Sequence, residues 1–222
     1  GPFLLKAVFA WRSLEEHALA VVAGVREDLD RGRKAAGRMV SRDTASLSGE
    51  ETVSAACESL SENLVDSITA PLLFFAAFSP LGLGLAAAAF SRAANTMDAM
   101  LGYRDHRERI GWFPARLDDV LTWIPARVTG LLLLAYFAVR GRIGPALAGL
   151  RSDARKRPGP NGGIPMAIIA GGTGVRFEKP GVYTMGPGER TLQEGGPEII
   201  RASRVVTILF TAILVAARVL WV

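Results

Sequence analysis

Glu51, Glu58, Glu62 and Asp66 stand at spacings of seven, four and four residues within SRDTASLSGEETVSAACESLSENLVDSITAP, residues 41–71. On an α-helix those spacings place all four acids on one face. Ser48 followed three residues later by Glu51 reads as a capping box that starts such a helix, expected over Leu47–Asp66. Like charges four residues apart cost a helix roughly 0.2–0.5 kcal/mol per pair, so the stripe needs compensation. Solvent, arginines or a divalent cation can each supply it. A charge run is usually a solvated face, but this one leads directly into the apolar run Ala70–Phe78 and should meet something polar.

A second polar block supplies partners. Arg92, Asn95 and Asp98 recur at three-residue intervals, which places them near one helical face. Gly111-Trp112-Phe113-Pro114 is expected to restart the chain as a helix with proline in its first turn. In that helix Arg116, Asp119, Trp123 and Arg127 share a face and Asp118 points elsewhere, with Pro125 kinking the axis and turning Arg127 toward the acids. Arg104 and His106 lie in a highly charged turn, where a solvated histidine is the expectation. A purely structural arrangement would pair Arg116 with Asp119 and leave Arg127 to one of the other carboxylates. Carboxylates, arginines and the Gly/Pro turn around Asn161 together suit Mg²⁺ and a phosphorylated ligand. No Walker-type loop, kinase signature, HExxH pair or nucleophile elbow is present.

The elements that must position these residues have a membrane character. Half of the 222 residues are hydrophobic and mean hydropathy is +0.26, yet 21% are charged and sit in blocks between apolar runs. The net charge of +5 is spread among interleaved acids and bases with no nucleic-acid motif, so nucleic acid is not an expected partner. Cys57 is the only cysteine, which excludes a disulfide framework, and a buried packing role is expected for it. Phe3–Val25 reads as an amphipathic interfacial helix and residues 26–42, with six lysines and arginines, as a basic helix facing lipid headgroups. Leu72–Phe90 holds nineteen residues without a charge, long enough to cross a bilayer. Pro80, Gly82 and Gly84 interrupt it, as in two half-helices or a re-entrant hairpin. Residues 128–139 continue as an apolar helix, 150–163 as a basic loop, and 177–197 as a Gly/Pro-rich loop or hairpin with strand character at Val182-Tyr183-Thr184. An apolar helix over Val205–Val222 closes the chain. The fold class is therefore all-α: a single-domain, multi-pass integral membrane bundle over 1–222 with a re-entrant segment and a Gly/Pro-rich loop before the last helix. A transport or binding component with an intramembrane charged site is the competing reading of these features.

Five segments in order carry a resemblance: RDTASL (42–47), SENLVDSITAPL (61–72), RAANTMDAMLGYR (92–104), ARLDDVLTWIPAR (115–127) and PNGGIPMA (160–167). Together they closely resemble the adenosylcobinamide-phosphate synthase family of cobalamin biosynthesis, the CbiB/CobD membrane proteins. Ser67 stands where that family has a glycine after the aspartate of its ENxxDG motif, and the resemblance implies further N-terminal membrane segments absent from this sequence. The activity it implies is ATP- and Mg²⁺-dependent joining of adenosylcobyric acid to aminopropanol or its O-phosphate. The setting it implies is the cell (inner) membrane, with the site facing the cytoplasm. A corrinoid is large enough to require an open groove at the membrane surface, shared with a second copy or with another membrane enzyme of the pathway. On this reading Glu58, Glu62, Asp66 and Asp98 are the expected catalytic acids, with Glu62, Asp66 and Asp98 as metal ligands. Arg92, Asn95, Arg104, Arg116, Asp119, Arg127 and Asn161 are the expected substrate- and phosphate-binding residues.

Overall fold

The computed structural model describes residue 9, residues 11–102 and residues 108–221. Helix α1 (Trp11–Glu27) is followed after one residue by α2 (Leu29–Ala36). Asp28 causes the break, because its extended backbone and its side chain, accepting from Asp30 N, make it an N-cap. The basic helix expected over 26–42 is thus shorter: beyond Ala36 the chain turns, pinned where Arg33 Nε donates to Leu47 O and Thr44 Oγ1 to Arg33 O.

The Ser48–Glu51 capping box is formed and starts α3 (Gly49–Leu64). One π-helical turn, Val65–Thr69, connects α3 to α4 (Ala70–Phe78), and a 3₁₀ turn, Ser79–Leu81, ends the rod. Residues 49–81 are therefore the element long and apolar enough to cross a membrane, rather than the expected 72–90. The apolar run divides at its breakers: Pro80 has no N–H to extend the ladder, and Gly82 takes the left-handed conformation (φ 73°). Helix α5 (Gly84–Leu101) then folds back along α4 as a helical hairpin.

Helices α6 (Glu108–Leu121) and α7 (Trp123–Val139) are bent by 46° at Thr122 and together have the apolar character of a broken span. Pro114 lies inside α6 instead of opening it, and Pro125 sits in the first turn of α7, just past the bend it was expected to make. After α8 (Ile143–Asp153) comes α9 (Gly163–Thr173), buried along nearly its whole length, as an eleven-residue helix apolar on every face must be. A two-stranded antiparallel hairpin, β1 (Phe177–Lys179) and β2 (Tyr183–Met185), pairs Phe177 with Met185 and Lys179 with Tyr183. The last helix, α10 (Leu192–Trp221), begins well before Val205, because Thr191 and Glu194 form a second reciprocal capping box.

The core gathers Leu60, Leu64 and Ile68 with Leu133, Phe137, Met166, Ile168, Ile199 and Phe210. Large apolar side chains also cover the outside: Trp112, Phe113, Trp123 and Ile124 around the α6–α7 bend, Leu81 and Phe90 on the hairpin, and Val215 and Leu220 on α10. Two helices, 49–81 and 192–220, are long and apolar enough to cross a membrane, and the bent pair would make a third. Such exposed surface is what a lipid-facing bundle requires.

The hairpin is held by Asp153, whose carboxylate accepts from Gly186 N at 2.6 Å and pairs with Lys156 at 2.7 Å. Burial alone would raise the Asp153 pKa; the Lys156 and Gly186 donors outweigh it and hold the carboxyl below its usual range. A depressed pKa stabilises the fold above the ordinary carboxyl value of about 4 and loses that contribution as pH falls. Hydrogen-exchange protection factors over 177–186, taken against the intrinsic rate at each pH, should therefore fall on acidification below about pH 4, and Asp153→Asn should lower protection there and make it less dependent on pH.

Candidate functional site

Helix α3 is buried along most of its length, so its acids need partners inside the protein. Glu58, only 5% exposed, has three: Ser54 Oγ at 2.7 Å, Tyr183 OH at 2.6 Å and Arg42 at 3.1 Å. Burial first, and the Glu58 carboxylate second, push the Tyr183 phenol well above its ordinary pKa, which keeps it a donor. Ser54 also accepts from Glu178 N at 2.8 Å, so the hairpin is docked on α3 through the hydrogen-bond shell of Glu58.

One turn on, Glu62 pairs with Arg157 from the turn between α8 and α9. Burial opposes the charge of Arg157; Glu62 and Asp66 outweigh it and hold the guanidinium above its ordinary pKa. The turn is shaped for this contact. Gly159 is left-handed (φ 93°), and a Cβ on Gly162 would stand 2.8 Å from the Arg157 guanidinium carbon. Arg157 was not among the expected site residues, although it lies in the basic run before PNGG.

Asp66 is the second residue of the π-turn, a distortion often found at functional positions. Glu62, Asp118, Arg157 and Arg92 are its electrostatic neighbours. From α5, Asp98 faces Asp119, Arg157 and Glu62, while Arg92 donates to Asn95 Oδ1 at 2.6 Å and Asn95 lies beside Asp118. Asp118, expected to point away, is turned inward at 9% exposure, and its Oδ1 has no hydrogen-bond partner among the described residues. Asp119 keeps the local partner of the structural alternative: Arg116, 66% exposed, stands 3.9 Å away.

Arg127 turns to the Gly/Pro turn instead of the acids. It donates to Asn161 Oδ1 at 2.6 Å and to Trp123 O at 2.9 Å, and lies 4.1 Å from the Trp123 ring centre. Asn161 is itself buried, and its amide donates to Asp119 O at 2.7 Å and Thr122 Oγ1 at 2.8 Å. These two expected phosphate ligands form a brace that holds the α6–α7 bend against the Arg157 turn. Arg104 and His106 lie outside the described residues.

The structure thus brings Glu62, Asp66, Asp98 and Asp119 around Arg157, with Arg92 beside Asp66, Asp118 next to Asp66 and Asp98, and Glu58 anchored one turn away. Among the described residues, no group of three or more histidine, cysteine or acidic side chains is arranged to hold a metal ion. Mg²⁺, however, commonly takes one or two carboxylates and completes its shell with water and phosphate oxygens. An acid-rich cluster with a bare, buried Asp118 oxygen fits that donor set.

Residues 2–216 match the CobD/Cbib protein family. The chain is 44% identical over 211 residues to a probable cobalamin biosynthesis protein CobD of Methanothermobacter thermautotrophicus, covering 94% of this chain and 69% of the relative. Proteins of the same description from Methanothrix thermoacetophila and Thermococcus kodakarensis are 41% and 43% identical, with 97% and 94% of this chain and 66% and 65% of the relatives covered. No solved structure matches. The chain belongs to the CobD/CbiB family of cobalamin biosynthesis, and it spans about two thirds of the length of these relatives. Family membership supports a biosynthetic enzyme over the transport alternative.

The Glu58 shell gives a stability test. Tyr183→Phe removes one hydrogen bond to a buried charge and should cost about 1–3 kcal/mol, read as a lower thermal midpoint in detergent. Arg116→Ala, which removes only an exposed long pair, should leave that midpoint within about 0.5 kcal/mol equivalent.

Proposed function

We propose that the chain provides the phosphate- and metal-binding site of an adenosylcobinamide-phosphate synthase at the cell membrane, open to the cytoplasm. The reaction joins the free propionate of adenosylcobyric acid to aminopropanol or its O-phosphate. The observation that carries the reading is the gathering of four carboxylates, Glu62, Asp66, Asp98 and Asp119, around Arg157, with Arg92 beside Asp66, in a chain of the CobD/CbiB family.

A carboxylate is a poor acyl donor, so its oxygen first takes the γ-phosphoryl group of ATP, giving an acyl phosphate and releasing ADP. The uncharged amine nitrogen then attacks the acyl carbon, the carbon–oxygen bond to phosphate breaks, and the nitrogen gives up a proton. Arg157 and Arg92 have the charge and planar donor fork to hold phosphoryl oxygens. Asp98, half-buried beside the cluster, is placed to accept the amine proton. Asp66 and Asp118, with Asp98 at the edge, would hold Mg²⁺, which when bound neutralises phosphoryl charge. Glu62 orients Arg157, and Glu58 fixes the helix that carries both Glu62 and Asp66.

Purified protein with ATP and Mg²⁺ should release phosphate only when both the corrinoid acid and the amine are present. Glu62→Gln and Asp66→Asn should each lower that rate by at least about 100-fold while membrane insertion and helix content stay unchanged. Wild-type rates in both variants would remove the acid cluster from the reaction.

A further inference from the structure

Several arginines outside the Arg157 cluster are spent on acids, Arg31 on Glu27 and Arg204 on Glu15 among them. Those gathered where α7 ends are not. Arg140, the residue that closes α7, stands 3.6 Å from Glu198 of α10, but Glu198 is shared with Arg190 at 3.1 Å. Arg190 is further committed, because it also donates to Thr173 O at the end of α9. Arg142 Nη2 and Glu189 Oε2 lie 3.2 and 3.4 Å from the point where a Cβ on Gly174 would stand, with Arg190 Cδ 3.7 Å from it. The Arg142 guanidinium therefore borders the Arg190–Glu198 pair. It makes no ion pair among the described residues, and its Nε is buried without an acceptor. Arg201, exposed, follows Glu198 by one turn and is likewise without an ion pair among the described residues. Four arginines thus meet two carboxylates, Glu198 and Glu189, and only Arg190 is fully engaged.

Their place on the surface is as informative as their number. Leu131 and Val139 are exposed on α7, Val139 by 90%, so apolar surface runs up to the residue before Arg140. On α10 the exposed apolar stretch begins with Val205 and Ile208, just beyond Arg201. Side chains on a helix lean toward its N-terminus, so Arg201 reaches back from that stretch toward Glu198 and Arg140. An arginine at the edge of an apolar surface lays its stem along it and keeps its charge at the polar boundary. The surplus arginines therefore stand where two lipid-facing helices pass into the polar part of the protein.

We propose that Arg140, Arg142 and Arg201 form a docking site for the phosphate of an anionic lipid headgroup, at the junction of α7 with α10. Guanidinium groups hold phosphate oxygens through paired, charge-assisted hydrogen bonds. Basic residues next to a membrane surface gain further from its negative potential. The exposed apolar neighbours Val139, Val205 and Ile208 match acyl chains beside the headgroup, which commits the site to a lipid rather than to free phosphate. Glu198 restrains Arg140 by one long contact and so competes with the headgroup for it. A bound lipid would bridge the end of the broken span to the last helix, and membrane composition would set how firmly the two are joined. The site is separate from the acid cluster and needs no assumption about the reaction.

The test is thermal stabilisation of the full chain in a neutral detergent, titrated with short-chain phosphatidylglycerol, phosphatidylcholine of the same chain length, or inorganic phosphate. Wild type should reach half-maximal stabilisation at a phosphatidylglycerol concentration at least about tenfold below that for phosphatidylcholine. Arg140→Gln and Arg201→Gln should each raise the phosphatidylglycerol concentration about fivefold, and the double variant about 25-fold. Arg201 has no ion pair to lose, so its variant reads lipid binding without a damaged fold. Arg31→Gln, on α2, should match wild type. Glu198→Gln releases Arg140 and should lower the phosphatidylglycerol concentration; a rise instead would mean that these arginines serve only the fold. Unchanged phosphatidylglycerol response in the double variant would overturn the site. Stabilisation by inorganic phosphate as effective as that by phosphatidylglycerol, and lost in the same variants, would overturn its assignment to lipid.

Discussion

A carboxylate enclosed by protein must be paired, and this requirement organises the molecule around α3. Removing one partner from a buried pair typically costs several kilocalories per mole, because the remaining charge has lost its water. Glu58 meets the requirement with three donors drawn from the chain before α3, from α3 itself and from the hairpin. Glu62 meets it with Arg157, nearly a hundred residues further along the sequence. Elements distant in the chain are thus tied to one helix by charge, and the apolar core from α7, α9 and α10 closes around those ties.

The same requirement separates anchoring acids from acids available for chemistry. Glu58 is saturated, so it serves as a fixed point. Asp118 is the opposite case, with a buried Oδ1 that finds no partner among the described residues. Asp66 and Asp98 lie between these extremes, in electrostatic contact with both arginines and other acids. The Arg127–Asn161 brace maintains this graded arrangement, because it sets the angle at which α6 brings Asp118 and Asp119 toward α5.

Much of this was legible in the sequence where the signal is local. The capping box at Ser48, the acid spacing through Glu58 and Glu62, the interruption at Pro80–Gly84 and the strand at Tyr183 all depend on residues close together in the chain. The start of α10 was equally local, since Thr191 and Glu194 repeat the Ser48–Glu51 pattern, but the Gly/Pro content around it argued for a loop. What could not be read locally was partner choice. Arg157 lay in a run of basic residues, and nothing in its neighbourhood distinguished it from Arg155 or Lys156 as the one that meets Glu62. The orientation of Asp118 was misread because a helical wheel gives which residues share a face, not which face the neighbouring helices cover.

The π-turn at Val65–Thr69 has a consequence for the rod that contains it. One widened turn inserts a single residue into the i→i+4 ladder, so positions after it are rotated by about 100° relative to an uninterrupted helix. The 49–81 rod therefore obeys two helical phases joined at Asp66. Below the junction the face shared by Glu58 and Glu62 looks onto the arginine of the α8–α9 turn. Above it that azimuth passes to the apolar side chains of α4, and Thr69 is brought round to meet Thr129 of α7 at 2.8 Å. A change of phase by one residue lets a single continuous helix serve as a charged wall at one level and as an apolar rod at the next.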